Sequence, residues 1–353
     1  MILNIKSKLS EYDIVIEGGI LSSVGDYISK MLKEKAMSVK KMFIITDETV
    51  DSLYSETVKK SLEESGFELA KYVISPGENS KNILTLAGIY SEMSDLGITR
   101  SDMIVALGGG VVGDLAGFAA STYLRGIEYI QIPTTLLAQV DSSIGGKTAI
   151  DISQGKNLVG SFYNPSLVLI DSFVLETLNT RDLTSGMAEV IKYALIKDKE
   201  LYNILMSIES RSQLFERLNE IIYRCCSIKK ELVEEDPFDK GQRMLLNFGH
   251  TLGHAIETHY KFRKYLHGEA VAIGMVRISE LAAEKGMIDE SIVKDIKNIL
   301  ARFGLSNKEE VENKELIKYI KNDKKRFGDK FKIVLVEEIG KGIIVDTGID
   351  FFE

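Results

Sequence analysis

From residue 42 to about residue 172, short β-branched runs alternate with longer segments of helical period, and this alternation limits the fold more than any other feature. MFIITD at 42–47 precedes a helical segment at 50–65, FELAKYVI at 67–74 precedes 82–96, and MIVALGG at 103–109 precedes 111–123. Repeated strand–helix–strand units close into a mostly parallel sheet with helices on its faces. IEYIQIP at 127–133 and LVLID at 167–171 read as further strands. Beyond residue 178 the texture becomes amphipathic, at 181–197, 211–235, 242–260, 268–285 and 289–303, with a late hairpin, FKIVLVEE then GKGIIV, around Ile339-Gly340. This predicts a mainly helical second half. At roughly 150 residues per domain, the 353 residues divide into two domains, expected at 1–177 and 178–353.

Composition narrows the function classes. Hydrophobic residues at 44% and charged residues at 27% are ordinary globular usage, which sets disorder aside. With 44 Lys and Arg against 52 acids, the net charge of -8 argues against a broad nucleic-acid surface, while a local cluster of cations could still hold an anion. Cys225 and Cys226 are adjacent, poorly placed to pair with each other, and form no zinc-ribbon spacing. That usage suits a reducing cytoplasm. The segment MILNIKSKLSEYD lacks a long apolar core, and no stretch approaches the roughly 18 to 20 apolar residues of a membrane span, so neither export nor membrane anchoring is expected.

Several segments carry chemistry. In MIVALGGGVVGDLAGFAA an apolar strand runs through Gly108, Gly109 and Gly110 directly into a helix. Glycines there admit a ligand close to the backbone, and the first N–H groups of the helix favour a phosphate such as a dinucleotide pyrophosphate. The pattern is GGGxxGD and not GxGxxG, so a tight strand–helix turn without a ligand is the alternative. Pro76-Gly77-Glu78 with Lys81 reads by itself as a solvated turn. IPTTLLAQVDSSIGGKTAID ends like a phosphate-binding loop, but Asp141 stands where that loop requires its first glycine. The segment is either an anion-binding loop or a polar turn. Glu189 and Lys192, three apart on a helix, form by default an exposed ion pair. Three of the four histidines, His250, His254 and His267, fall within 18 residues, and His250 with His254 has the one-turn spacing that suits a divalent metal, His267 being a possible third imidazole. The alternative is chance clustering at a polar helix end.

GGGVVGDLAGFAASTYLRGIEYIQIPTTLLAQVDSSIGGKTAID, GKNLVGSFYNP, SGMAEVIKY, LLNFGHTLGHAIE and LHGEAVAIGM stand in the order and spacing of the 3-dehydroquinate synthases of the shikimate pathway, which the chain resembles from about residue 43 to residue 325. Sugar-phosphate cyclases that make aminocyclitol precursors are the nearest rival. Glycerol dehydrogenases and iron-dependent alcohol dehydrogenases share the glycine turn and a metal-binding helical domain, but VDSSIGGKT followed by GKN is not expected of them.

The resemblance implies a Rossmann-like NAD-binding domain followed by a helical metal- and substrate-binding domain. A divalent metal, zinc or else cobalt, would be held by Glu189, His250 and His267, which replaces the spacing-based pair and leaves His254 as an acid/base or phosphate-contacting group. NAD would lie on Gly110, Val111, Val112, Gly113 and Asp114, with Glu78 and Lys81 at the ribose and Thr134 and Thr135 beside it. Val174, Leu175, Glu176 and Thr177 would close that pocket, Asp141 and Lys156 would reach the nicotinamide, and Asp47 and Lys147 would also meet the cofactor. Substrate groups would be met by Lys147, Asn157, Lys192, Lys229, Arg243, Asn247 and a lysine of Asp323-Lys324-Lys325. Arg125 would reach the neighbour's substrate in a homodimer. The chain departs from the family pattern at Asp236-Pro237-Phe238-Asp239, often DExE, and at Asn179, often Pro.

The implied substrate is the anionic sugar phosphate 3-deoxy-D-arabino-heptulosonate 7-phosphate. A hydroxyl is oxidised, phosphate eliminated, the ketone reduced, the ring opened and a carbocycle closed by aldol addition. NAD takes a hydride and returns it, so no net redox occurs. The substrate's phosphate can itself remove the proton, which makes surrounding cations positioning devices more than bases.

Overall fold

The computed structural model describes residues 1–8, 10–305, 311–320, 326–327 and 330–353. They gather into two units, Met1–Leu178 with Lys229–Phe238, and Asn179–Ile228 with Asp239–Glu353. The first unit carries β1 (Ile2–Lys6), β2 (Glu11–Ile16), β3 (Lys41–Asp47), β4 (Glu68–Ile74), β5 (Met103–Gly108), β6 (Glu128–Pro133), β7 (Lys147–Ile152), β8 (Gly155–Phe162) and β9 (Leu167–Ile170). Seven of them form one sheet in the order β1-β2-β9-β6-β5-β3-β4. Only β1 with β2 is antiparallel there; the other neighbours run parallel.

The burial follows from this order. Central β5 reads MIVALG and every residue in it is buried, as a parallel strand covered on both faces requires, whereas edge strand β4 is mostly half-exposed. The helix Gly110–Thr122 lies close on the sheet because its inward face is small: a Cβ at 117 would stand 3.1 Å from Tyr129 OH and one at 113 would stand 2.8 Å from Gln131 Oε1, both on β6. Since β4 and β5 flank β3 on opposite sides, the chain reverses its direction of winding there. In such sheets ligands bind beyond the carboxyl ends of the strands at that point, here Asp47 and Gly108.

Three local features differ from the expectation. The helix expected at 50–65 begins earlier, capped by the Asp47 carboxylate, which accepts from Thr49 and Val50 N–H at 2.9 and 3.1 Å, and it widens over Asp51–Ser55 before Glu56–Glu64. The stretch 132–151, read as an anion-binding loop or polar turn, is helical over Ala138–Ser142 and ends in β7, which pairs antiparallel with β8. β1 and β2 form an N-terminal hairpin that periodicity did not reveal.

The second unit contains the helices Thr180–Lys197, Lys199–Ser207, His250–His259, His267–Glu284, Glu290–Arg302 and Asn313–Ile320. It also holds β10 (Arg326–Phe327), β11 (Lys330–Glu338) and β12 (Lys341–Thr347), in which the expected late hairpin is β11–β12. The helix Arg211–Glu235 starts in this unit, and from Lys229 onward its residues cluster with the first. Asn179 has a use of its own: its Oδ1 accepts the Asp182 N–H at 2.9 Å and caps the helix Thr180–Lys197. Phe238, in the other departing segment, packs edge-on to Phe162 with centroids 5.5 Å apart.

The continuous helix expected at 242–260 is interrupted. Gln242–Asn247 is a short 3-10 turn, and Gly249 at φ 78° restarts the chain as His250–His259. A side chain at 249 would be strained by that φ and would also strike Met275 Cγ at 2.5 Å. No helix among the described residues is long and apolar enough to cross a membrane.

Candidate metal centre and nucleotide turn

In the second unit, residues 185–196 of the helix Thr180–Lys197 are all buried. The Glu189–Lys192 pair, which spacing alone makes a surface feature, is therefore internal, with side chains 0% and 1% exposed. Lys192 Nζ ion-pairs with Glu189 Oε2. Glu189 Oε1, buried and without a hydrogen-bond partner, faces His250 Nε2 at 3.6 Å and His267 Nε2 at 3.7 Å.

Three helices supply these groups, and glycines let them approach. A Cβ at 268 would lie 1.9 Å from Ser185 O, and one at 274 would lie 2.0 Å from Gly249 O. Both contacts exist only because the side chain is absent.

The separations suit a shared ion. Two ligand atoms about 2.1 Å from one tetrahedral ion lie about 3.4 Å apart, close to the observed spacings and beyond hydrogen-bond length. The ring orientations agree with this. His250 Nδ1 lies 3.1 Å from Phe248 O, which directs the opposite nitrogen inward. A carboxylate with two imidazoles leaves a coordination position open, as a catalytic metal site needs. His254 is ring-to-ring neighbour of His250, centroids 5.4 Å apart, but its ligand atom gathers with those of Glu257 and His267 instead of with Glu189. Glu257 was not singled out by sequence pattern; the available signal was an acid on the otherwise buried face of the HTLGHAIE helix. Arg243 is 2% exposed and Asn247 partly exposed, both in the turn before Gly249. Asp323-Lys324-Lys325 lies outside the described residues.

In the first unit, Gly109 precedes the helix that begins with Gly110, Val111, Val112, Gly113 and Asp114. The opening N–H groups of any helix have no intrahelical acceptor, so they point at whatever occupies the turn. Thr134 N–H bonds Gly108 O at 3.0 Å, placing this threonine beside the glycines with its Oγ1 buried and without a hydrogen-bond partner. Thr135 Oγ1 accepts Ala138 N–H. A Cβ at 110 would come 3.1 Å from Ser142 Oγ, another buried hydroxyl without a hydrogen-bond partner, which sequence reading placed only in a general polar loop.

Lys81, 4% exposed, joins this turn to its surroundings: its Nζ lies 2.5 Å from Asp114 Oδ2 and 2.5 Å from Asn157 Oδ1, with Glu78 Oε1 at 3.8 Å. Burial works against its charge, but Asp114, Glu78 and Asp151 outweigh burial and hold its pKa above the ordinary lysine value. Lys156 Nζ lies 3.6 Å from the same Glu78 oxygen. Lys229, 4% exposed, reaches Asp141 Oδ1 at 2.7 Å and also its backbone carbonyl. Val174 and Leu175 are buried in the turn Ser172–Glu176, with Glu176 and Thr177 exposed, and Tyr54 OH donates to Val174 O at 2.9 Å. Lys147 is exposed at the start of β7. Arg125 is exposed in a run of three positive φ values, 49° at Leu124, 70° at Arg125 and 121° at Gly126.

The models for the N-terminal and C-terminal parts of 3-dehydroquinate synthase match residues 71–185 and 186–326. The 3-dehydroquinate synthase of Clostridium botulinum (strain Alaska E43 / Type E3) is 50% identical over 354 residues, covering 100% of this chain and 99% of that protein. Among solved structures, 2-deoxy-scyllo-inosose synthase in complex with carbaglucose-6-phosphate, NAD+ and Co2+ is 26% identical, with a TM-score of 0.87 over 99% of this chain and 98% of the other. The 2-epi-5-epi-valiolone synthase of Streptomyces hygroscopicus subsp. jinggangensis, with NAD+ and Zn2+ bound, is 28% identical, with a TM-score of 0.83 over 98% and 96%.

Proposed function

The chain belongs to the 3-dehydroquinate synthase family, and from that premise we propose that it converts 3-deoxy-D-arabino-heptulosonate 7-phosphate into 3-dehydroquinate and phosphate, in the shikimate pathway. The observation that carries this reading is the convergence of Glu189, His250 and His267 at 3.6 and 3.7 Å around a fully buried carboxylate. When bound, NAD supplies reversible hydride uptake and a divalent zinc or cobalt ion supplies electrophilic polarisation of a substrate oxygen.

The chain's own residues divide the remaining work. Glu189, His250 and His267 would hold the metal, and His254 would face substrate as a proton-handling or phosphate-contacting group. The backbone of Gly110 to Gly113 would hold the dinucleotide phosphates. Asp47, Glu78, Lys81, Asp114, Thr134, Thr135, Asp141, Lys147, Lys156 and the stretch 174–177 would meet the rest of NAD. Lys147, Asn157, Lys192, Lys229, Arg243 and Asn247 would recognise the carboxylate, hydroxyls and phosphate of the substrate. Their cationic side chains orient an anion that can carry out its own deprotonation. Arg125, held by strained backbone in an exposed position, would serve the neighbour's substrate in a homodimer. The enzyme would work in the cytoplasm, where the buried thiols of Cys225 and Cys226 stay reduced.

Incubation of the purified protein with NAD, zinc and the heptulosonate phosphate tests the reading. Dehydroquinate and phosphate should appear in equal amounts with no accumulation of NADH. Steady NADH formation from a simple alcohol, without phosphate release, would identify a dehydrogenase instead.

A further inference from the structure

We infer that Glu257 is a positioning carboxylate of the metal centre, holding His267 from behind through its Nδ1; this rests on the reading of Glu189, His250 and His267 as metal ligands. Glu257 is 4% exposed, on the helix His250–His259, where Thr251, Leu252, Gly253, Ala255 and Ile256 are buried as well. An acid in such a place is costly unless something gives it a partner. Its Oε2 lies 3.5 Å from His267 Nδ1, while His267 Nε2 lies 3.7 Å from Glu189 Oε1. The imidazole therefore stands between two buried carboxylates, one on each ring nitrogen.

That arrangement selects a tautomer. A neutral imidazole has one N–H and one lone pair. With Nδ1 as the donor towards Glu257, the lone pair falls on Nε2, the nitrogen directed at Glu189 and therefore at the metal position. His250 follows the same rule with a neutral partner, the Phe248 carbonyl, at 3.1 Å from its Nδ1. The two imidazoles are thus fixed alike, except that the one behind His267 is an anion, which polarises the N–H more strongly and makes Nε2 the better donor to a metal. His267 is also the more exposed ring, its side chain 31% accessible against 12% for His250. It has the greater need of a partner to hold its orientation.

A competing arrangement uses the same atoms. Ligand atoms of His254, Glu257 and His267 also converge, and an ion there would make Glu257 a direct ligand. The two roles differ in what removal of the carboxylate does: a ligand's loss abolishes stoichiometric binding, whereas a positioning partner's loss weakens it.

The test is zinc affinity of the full chain, measured by competition with a chromophoric chelator for wild type, Glu257→Gln, Glu257→Ala and Glu189→Ala. Glu257→Ala should still bind one equivalent with a Kd weakened about 10- to 100-fold, and Glu257→Gln, which keeps an acceptor, should fall between it and wild type. Cobalt-loaded Glu257→Ala at saturation should show a visible spectrum altered from that of wild type, a change in ligand field that general loosening of the fold would not produce. Circular dichroism of the metal-free variants identifies any that fail to fold; if Glu257→Ala does not, the Gln variant decides by a Kd weakened at least about threefold. Affinity within twofold of wild type in the folded Glu257 variants, with Glu189→Ala unable to bind, overturns the inference. Loss of stoichiometric binding in folded Glu257→Gln would make Glu257 a ligand and also overturns it. Undiminished binding by Glu189→Ala would instead overturn the metal-site reading on which it rests.

Discussion

Lys81 Nζ lies 2.5 Å from Asp114 Oδ2, so an ion pair ties the turn after β4 to the helix that opens after β5. The lysine side chain is 5% exposed and has little water to fall back on. Asp114→Ala is expected to destabilise the protein by about 1.5–3 kcal/mol, the range for a hydrogen bond to a charged group, because Lys81 keeps Asn157 and Glu78 as partners, and also to weaken NAD binding. Chemical denaturation with calorimetry separates the two effects. Weaker NAD binding at unchanged stability would make Asp114 a ligand contact alone, and unchanged NAD affinity would leave the glycine turn without its ligand.

The metal assignment divides four residues into two groups. Glu189→Ala, His250→Ala and His267→Ala should each lose bound metal, while His254→Ala should keep it and lose turnover. Elemental analysis of the variants, purified alike, reads this directly. A metal-free His254→Ala beside a fully loaded His267→Ala would restore the pair that helical spacing suggests.

Backbone contact at Gly268 gives a sharper test of the packing. A Cβ added there would stand 1.9 Å from Ser185 O, and the Gly268 N–H donates to Ser185 Oγ at 3.1 Å. Gly268→Ala must push the helix Thr180–Lys197 away from the helix His267–Glu284. We expect a loss of about 1–3 kcal/mol or more and a drop in metal affinity although no ligand is altered. A fall in stability with metal affinity intact would mean that the helices relax elsewhere.

One carboxylate provides a pH signature. Burial works to raise the pKa of Asp51, but Lys71, whose Nζ is 2.6 Å away, outweighs burial and holds it below the ordinary 3.8. A depressed carboxylate contributes stability above its unfolded pKa and loses that contribution as pH falls through the folded value. Asp51→Asn should therefore lower the thermal midpoint slightly at pH 7, with the gap to wild type closing below pH 3.8. Thermal scans between neutral and acid pH check this; a gap that stays constant into acid would exclude the pair as its source.

Arg125 offers a test of a shared site. Arg125 and Lys147 variants should each lose activity, and mixing them under conditions of subunit exchange should restore part of it, because one heterodimer site would then hold neither lesion. Absence of recovery, with exchange demonstrated by labelled subunits, would argue against action in trans.

Much of this architecture is legible in the sequence because parallel strands and amphipathic helices impose strong periods. β5 reads as a strand since MIVALG is apolar throughout, and the helix Arg211–Glu235 is recognisable from its face pattern. β8 escapes because residues 157–160 are exposed on both sides of the strand, which leaves no alternation to read. Gly249 is seen in the sequence, but only its left-handed φ of 78° shows that the chain breaks its helical course there. The site shows the same limit. His250 and His254 do lie side by side, as one helical turn dictates, yet the position of a third helix selects the ligand atoms that converge with Glu189. Glu257 is hidden because the ring it faces stands on the next helix, and Ser142 because the glycine turn it approaches belongs to an earlier strand–helix unit.

The ligand triangle spans residues 189 to 267 and exists only when three helices are packed, so the extended chain offers an ion no comparable site. Metal concentration then becomes a folding variable. Once the site is saturated, each tenfold rise in free ion should add about 1.4 kcal/mol to the native state by mass action, provided the unfolded chain binds none. Scarcity of the ion would consequently register as shorter lifetime of the polypeptide as well as lower turnover, and the thermal midpoint of the protein would report on the metal available around it.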